Sequence, residues 1–191
     1  MVYIPTTQLT QGTGSQVTGS YPSSLVSPYD PRLISGTANI TANSARGVRI
    51  VIPKMGTLRD IAVYQGATSG NISVAIYTAD EPRSRVYTTG AIASPAANGW
   101  RIIGDPMLSV VAGEQYDFAW SADNGTAAIG RTTLVTNTAV KDLPAGFLSG
   151  VTGSPRLFWQ GATLHPLPTS IAEADIAVAE TGPPCIIARI E

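Results

Sequence analysis

The sequence has a single cysteine, Cys185, and a single histidine, His165, and charged residues make up only 13% of its 191 residues. One cysteine rules out an intrachain disulfide, so this is no cystine-framework module, and the expected state of Cys185 is a buried thiol. A tetrahedral zinc site draws several ligands from Cys and His, and one of each cannot supply it. A Ser-His-Asp or Cys-His nucleophile would have to be built on His165, which stands between Leu164 and Pro166. No GxSxG elbow accompanies it, so a structural histidine is expected. The chain also lacks GxxxxGK[ST] and a GxGxxG opening a helix, which leaves nucleotide chemistry without support.

Charge is not only sparse but balanced, with Lys and Arg together 12 and Asp and Glu together 13. With no basic run anywhere, there is no electrostatic footprint for nucleic acid or for an anionic membrane. The start "MVYIPTTQLT" has neither basic residues nor a long apolar run, and no stretch approaches the ~20 apolar residues of a membrane span. No secretory signal or membrane span is therefore expected, and synthesis and assembly in a cytoplasm are. A mean hydropathy of +0.13 with so little charge suggests a surface largely covered by other protein. The chain reads as a piece of an assembly.

What the sequence has in abundance is glycine, 19 residues, and proline, 14 residues. Residues 1–35 carry Pro5, Pro22, Pro28 and Pro31, which keep preceding residues extended and discourage helix. A segment such as "TQGTGSQVTGSYPSSLVSPYDPR" cannot bury enough apolar surface to fold alone. It does carry spaced apolar anchors, and Tyr3, Ile4, Leu9, Val17, Tyr21, Leu25, Val26 and Tyr29 are expected to seat in pockets of another surface. An extended N-terminal arm is the expectation for 1–35.

From residue 36 the character changes. "RGVRIVIP", "TLRDIAVYQG", "NISVAIYTAD", "SRVYTTGAIA", "NGWRIIGDP" and "EQYDFAWSADNG" are short runs rich in β-branched and aromatic residues, separated by Gly, Pro or Asn-Gly. In "NISVAIYTAD" Ile72, Val74 and Ile76 share one face, the period of two that marks a half-buried strand. Tyr116, Phe118 and Trp120 likewise share a face, opposite Asp117 and Ala119. Strands recurring every 8–12 residues without an amphipathic helix predict an all-β fold, an antiparallel β-sandwich, jelly-roll-like, over 36–135. Residues 136–191 read as a loop-rich wrap of the same domain. Within it "IAEADIAVAE" is the one candidate helix, with a strand as the alternative, and "CIIARIE" closes as a terminal strand.

Carboxylates at Asp60, Asp80, Glu81, Asp105, Glu114, Asp117 and Asp123 fall mostly at strand ends and turns, where Asp is a turn former, and "SADNG" alone makes no calcium site. The expectation is no catalytic, cofactor or metal residue. Tyr64, Tyr77, Tyr87, Trp100, Trp120 and Trp159 could stack on sugar rings, though most are expected in the core or in interfaces.

The stretches "DPRLISGTANIT", "GTLRDIAVYQGATSGNISVAIYTAD" and "AANGWRIIGDPMLSVVAGEQYDFAWSADNGT", over about residues 30–135, resemble β-sandwich virion proteins of tailed bacteriophages. The resemblance implies a non-enzymatic structural protein, localised in the virion and partnered by other virion proteins and by copies of itself. On a tail-associated reading the arm docks to the tail, and a host cell-surface glycan is a further partner. The alternatives are a capsid decoration protein spanning neighbouring capsomers and a carbohydrate-binding jelly-roll module. None of the matching motifs is a functional signature, so the resemblance assigns no site.

Overall fold

Alternation of apolar residues sets the strands. β-Branched Ile72, Val74 and Ile76 at every second position favour an extended backbone, and the run Asn71–Thr78 is a strand. The structure, a computed structural model, describes residues 9–10, 16–17, 25–27, 36–131, 158–178 and 184–191. In chain order the strands are β1 (Leu9–Thr10), β2 (Gln16–Val17), β3 (Leu25–Val26), β4 (Gly36–Asn39), β5 (Ala45–Val51), β6 (Gly56–Ala67), β7 (Asn71–Thr78) and β8 (Arg83–Ala93). They continue as β9 (Gly99–Gly104), β10 (Leu108–Val110), β11 (Gln115–Ala122), β12 (Ala128–Arg131), β13 (Phe158–Gly161), β14 (Ser170–Ile171), β15 (Ala177–Val178) and β16 (Ile186–Ile190). Among the described residues the only helical piece is one 3-10 turn, Glu173–Asp175.

Two antiparallel sheets of seven strands face each other. Sheet I runs β3-β16-β6-β12-β4, with β9 and β10 along the opposite edge of β6, and sheet II runs β14-β8-β7-β11-β5-β13-β15. The chain changes sheet after β4, β5, β6, β8, β10, β11, β12 and β15, so strand neighbours are mostly distant in sequence. This is an all-β antiparallel sandwich, as the alternation and spacing of the strands predict. Its core holds Val48, Ile50, Val74, Ile76, Phe118 and Trp120 from sheet II against Leu58, Ile61, Val63, Ile129, Ile186 and Ile190 from sheet I. Burying each such side chain stabilises by about 1.5–3 kcal/mol.

The outer face of sheet II is also closed, which corrects the expectation that β7 is half-buried. Ile72 to Tyr77 are all buried, because a strap from the C-terminal region lays Trp159, Leu164, Leu167, Ile171 and Ile176 over Ala45, Ala75, Tyr77 and Ala119. Backbone carbonyls of the strap find partners on the sheet: Tyr77 donates its hydroxyl to Pro168 O at 2.8 Å, and Arg85 Nη1 donates to Leu167 O at 2.6 Å. In "IAEADIAVAE" Ile171 ends β14, and the described residues after it form the 3-10 turn and then β15, which pairs with β13. "CIIARIE" contains β16, whose Ile186, Ala188 and Ile190 enter the core, and Cys185 is a buried free thiol.

Within 1–35, β1 pairs with β2, Leu9 opposite Val17. β3 pairs with β16, Val26 opposite Ala188, and Val26 is 1% exposed in the sandwich core. The Leu25–Val26 pair thus serves the fold of its own chain. Tyr3, Ile4, Tyr21 and Tyr29 lie outside the described residues.

Candidate functional site

Among the described residues, Asp117, His165 and Asp123, groups able to do acid–base work, are engaged in holding the fold. Asp117 points from β11 to the outer side of sheet II and is fully buried. Directly opposite on β5, Arg49 donates from Nε at 2.8 Å and from Nη2 at 3.0 Å to its two oxygens. Arg83 of β8 donates to the same carboxylate and, through Nη1, to Glu173 Oε2 at 2.7 Å. Burial opposes the Arg83 charge, but the hydrogen bonds to Asp117 and Glu173 outweigh it and hold the guanidinium charged. The cluster ties the 3-10 turn of the strap to the sheet, with every Asp117 oxygen occupied.

His165 has a partner that sequence spacing does not suggest. Its Nδ1 lies 3.0 Å from Ser121 Oγ. Burial pushes the His165 pKa down, with nearby Asp123 acting the other way. Asp123 accepts from Asn71 N at 3.0 Å, Asn71 Nδ2 at 2.9 Å and Asn124 Nδ2 at 2.9 Å, and the bond from the Asn71 backbone leads in lowering its pKa. Ser, His and Asp are therefore neighbours, yet Ser121 is fully buried and Asp123 is committed to its turn. The arrangement pins the strap; it presents no nucleophile to solvent.

The aromatics divide sharply. Tyr77, Trp120 and Trp159 are fully buried, and Tyr87 packs against the core. Tyr64 and Trp100 instead share the outer face of sheet I as cross-strand partners, ring centroids 5.8 Å apart and planes at 88°. Tyr64 lies over Gly130, where a β-carbon would stand 2.7 Å from its Cδ1. In the next row of that face Ala62 stands between Ile102 and Ile187, and Ile102 is 70% exposed.

The row beyond is charged, and a bulge puts it there. Asp60 sits in β6 at φ 45°, the left-handed region, and between Arg59 and Ala62 β6 carries one residue more than β16 opposite it. A bulge adds one residue to a strand and re-aims its side chains. Here it keeps Leu58 and Ile61 in the core and turns Asp60 to Arg189, whose Nε donates to Asp60 Oδ2 at 2.8 Å. Arg59 donates from Nε to Asp105 Oδ1 at 2.7 Å, which leads in lowering the Asp105 pKa, and Arg189 also pairs with Glu191 at 2.6 Å. All of these charged side chains are partly exposed.

The large apolar side chains left exposed among the described residues are Val51, Met55, Val86, Ile102, Met107 and Val111. Apart from Val51, on the interior strand β5, they lie on or beside β8, β9, β10 and the start of β6. Ile102 is on β9 and Val86 on β8, Met107 leads into β10, and Val111 and Met55 flank the paired residues Val110 and Gly56. Val51 is opposite Gln115 at the same end of the sandwich.

Among the described residues no three His, Cys, Asp or Glu side chains gather as a metal site requires, and no helix is long and apolar enough to cross a membrane. Comparison with protein-family models gives no match, and comparison with curated proteins gives none.

Proposed function

We propose that the chain is a non-enzymatic structural protein of a tailed-phage virion, tail-associated, assembled in the host cytoplasm and held by contacts to other virion proteins and to copies of itself. The exposed apolar side chains Val86 on β8, and Met107 and Val111 beside β10, carry this reading. Large exposed apolar residues bordering unpaired strand edges are the signature of a surface completed by another chain, and the low charge of the sequence agrees with it. The buried Asp117 cluster and the buried Ser121 support a non-enzymatic role. Residues 1–24 supply the arm, and an open strand edge on a neighbour can take up an extended segment by β-augmentation.

The test is deletion of residues 1–24, which spares β3 and its pairing with β16. The shortened protein folds with an unchanged melting temperature and fails to enter particles. Particles that incorporate it at the normal level contradict the role given to the arm.

A further inference from the structure

We propose that the outer face of sheet I is a binding site for a neutral glycan chain. This deepens the proposed function by adding a host-surface glycan to the partners of a tail-associated protein, and rests on it. The face is ordered in rows. Tyr64 and Trp100 form the first, Ile102, Ala62 and Ile187 the second, and Arg59 with Asp60 and Arg189 the third. Along a strand, same-face rows lie about 7 Å apart, and adjacent strands lie about 4.8 Å apart, a spacing on the scale of successive rings in a saccharide.

Each row offers what a sugar needs. The C–H face of a pyranose is apolar and packs on an aromatic ring, removing both from water. Tyr64 and Trp100 are both partly exposed, and Gly130 beside Tyr64 brings no side chain that would cover it. The charged row holds its donors and acceptors in fixed geometry through the Asp60–Arg189 and Arg59–Asp105 pairs. Hydroxyl groups, which both donate and accept, can bond to such a row without displacing an ion pair.

The charges also select among occupants. Arg59 and Arg189 are each matched by carboxylates, with Asp60, Asp105 and Glu191 all on this face. Among the described residues of this face no uncompensated cation remains to attract phosphate, nucleic acid or a uronic acid chain. A second copy of the chain would bury the charged row against itself, which opposes a self-complementary contact. The bulge adds an independent sign. A non-glycine residue held at φ 45° within a strand is strained, and strained bulges gather at functional sites.

The experiment uses the full chain. An array of neutral and acidic oligosaccharides is probed first, and maltohexaose, cellohexaose and mannohexaose are then titrated by calorimetry, with hexagalacturonate and inorganic phosphate as anionic probes. Tryptophan emission is followed in parallel; Trp120 and Trp159 are fully buried, so Trp100 is the reporter. The expected result is saturable binding of a neutral oligosaccharide with a shift in emission, weakened at least about tenfold by Trp100→Ala and by Ile102→Asp. Ile102→Asp changes an exposed position and leaves the fold intact, and Val86→Ser on β8 leaves binding unchanged. Binding that survives both variants, binding of anionic probes alone, or no binding across the array overturns the proposal. So does sedimentation showing self-association that Ile102→Asp abolishes with no glycan bound, which assigns the face to a second copy. The isolated protein is tested throughout, so a failure here leaves the virion reading standing, and absence from particles leaves the titration standing.

Discussion

Trp159 lies against the backbone of Gly47 so closely that a β-carbon on Gly47 would stand 2.0 Å from Trp159 Cε2. The two residues face each other across β13 and β5. Glycine is needed here for space, because any side chain would occupy the volume of the indole. Gly47→Ala is expected to destabilise by about 1–3 kcal/mol through overpacking, and Trp159→Ala by about 3–5 kcal/mol through the cavity it opens. The two effects are coupled, so Gly47→Ala costs less in the Trp159→Ala background. Urea denaturation of the single and double variants measures this, and simple additivity contradicts it.

Asp117→Asn tests the buried cluster. The substitution leaves the Arg49 and Arg83 guanidiniums without their shared anion, and breaking a buried pair in this way costs about 3–5 kcal/mol. Glu173→Gln, whose side chain is 44% exposed, costs less than about 1 kcal/mol. Equal losses in the two variants would show that the strap, rather than the sheet, depends on the cluster.

His165 gives a pH dependence with a definite sign. Its folded pKa lies below the ordinary 6.5, chiefly through burial, so between those two values the unfolded chain binds more protons than the folded one. Stability is full above the unfolded pKa and declines as pH falls below it, levelling off beneath the folded pKa. Thermal melts from pH 7.5 to pH 5 are expected to show this decline, and His165→Asn flattens it in that window. An unchanged slope in the variant removes His165 as the cause.

Asp60 tests the bulge. Asp60→Gly relieves the left-handed conformation but loses the partner of Arg189, and the two effects nearly cancel. Asp60→Val places a β-branched residue at positive φ and costs about 1–3 kcal/mol. If Asp60→Val is as stable as Asp60→Gly, the bulge is not strained.

The strands inside the sandwich were legible because their period is local. Phe118 and Trp120 point inward and Asp117 and Ala119 outward, as the alternation in "EQYDFAW" requires. The closed outer face of sheet II was not, because Ser73, Ala75 and Tyr77 suit either a wet or a covered face, and their cover comes from the strap some ninety positions later. Asp117 reads as a solvent-facing residue until Arg49 and Arg83 converge on it from two other strands. The bulge did leave a local trace. From Leu58 to Ile61 the apolar spacing is three and from Ile61 to Val63 it is two, and that slip in phase marks the extra residue. The Tyr64–Trp100 pair depends on strand register, which alternation alone does not fix.

Particle composition bears on the central claim most directly. Quantitative mass spectrometry of purified particles is expected to find the chain at a handful to a few tens of copies per particle, as a tail-associated protein requires. Hundreds of copies would place it on the capsid shell, and absence from the particles would contradict a structural role in the virion altogether.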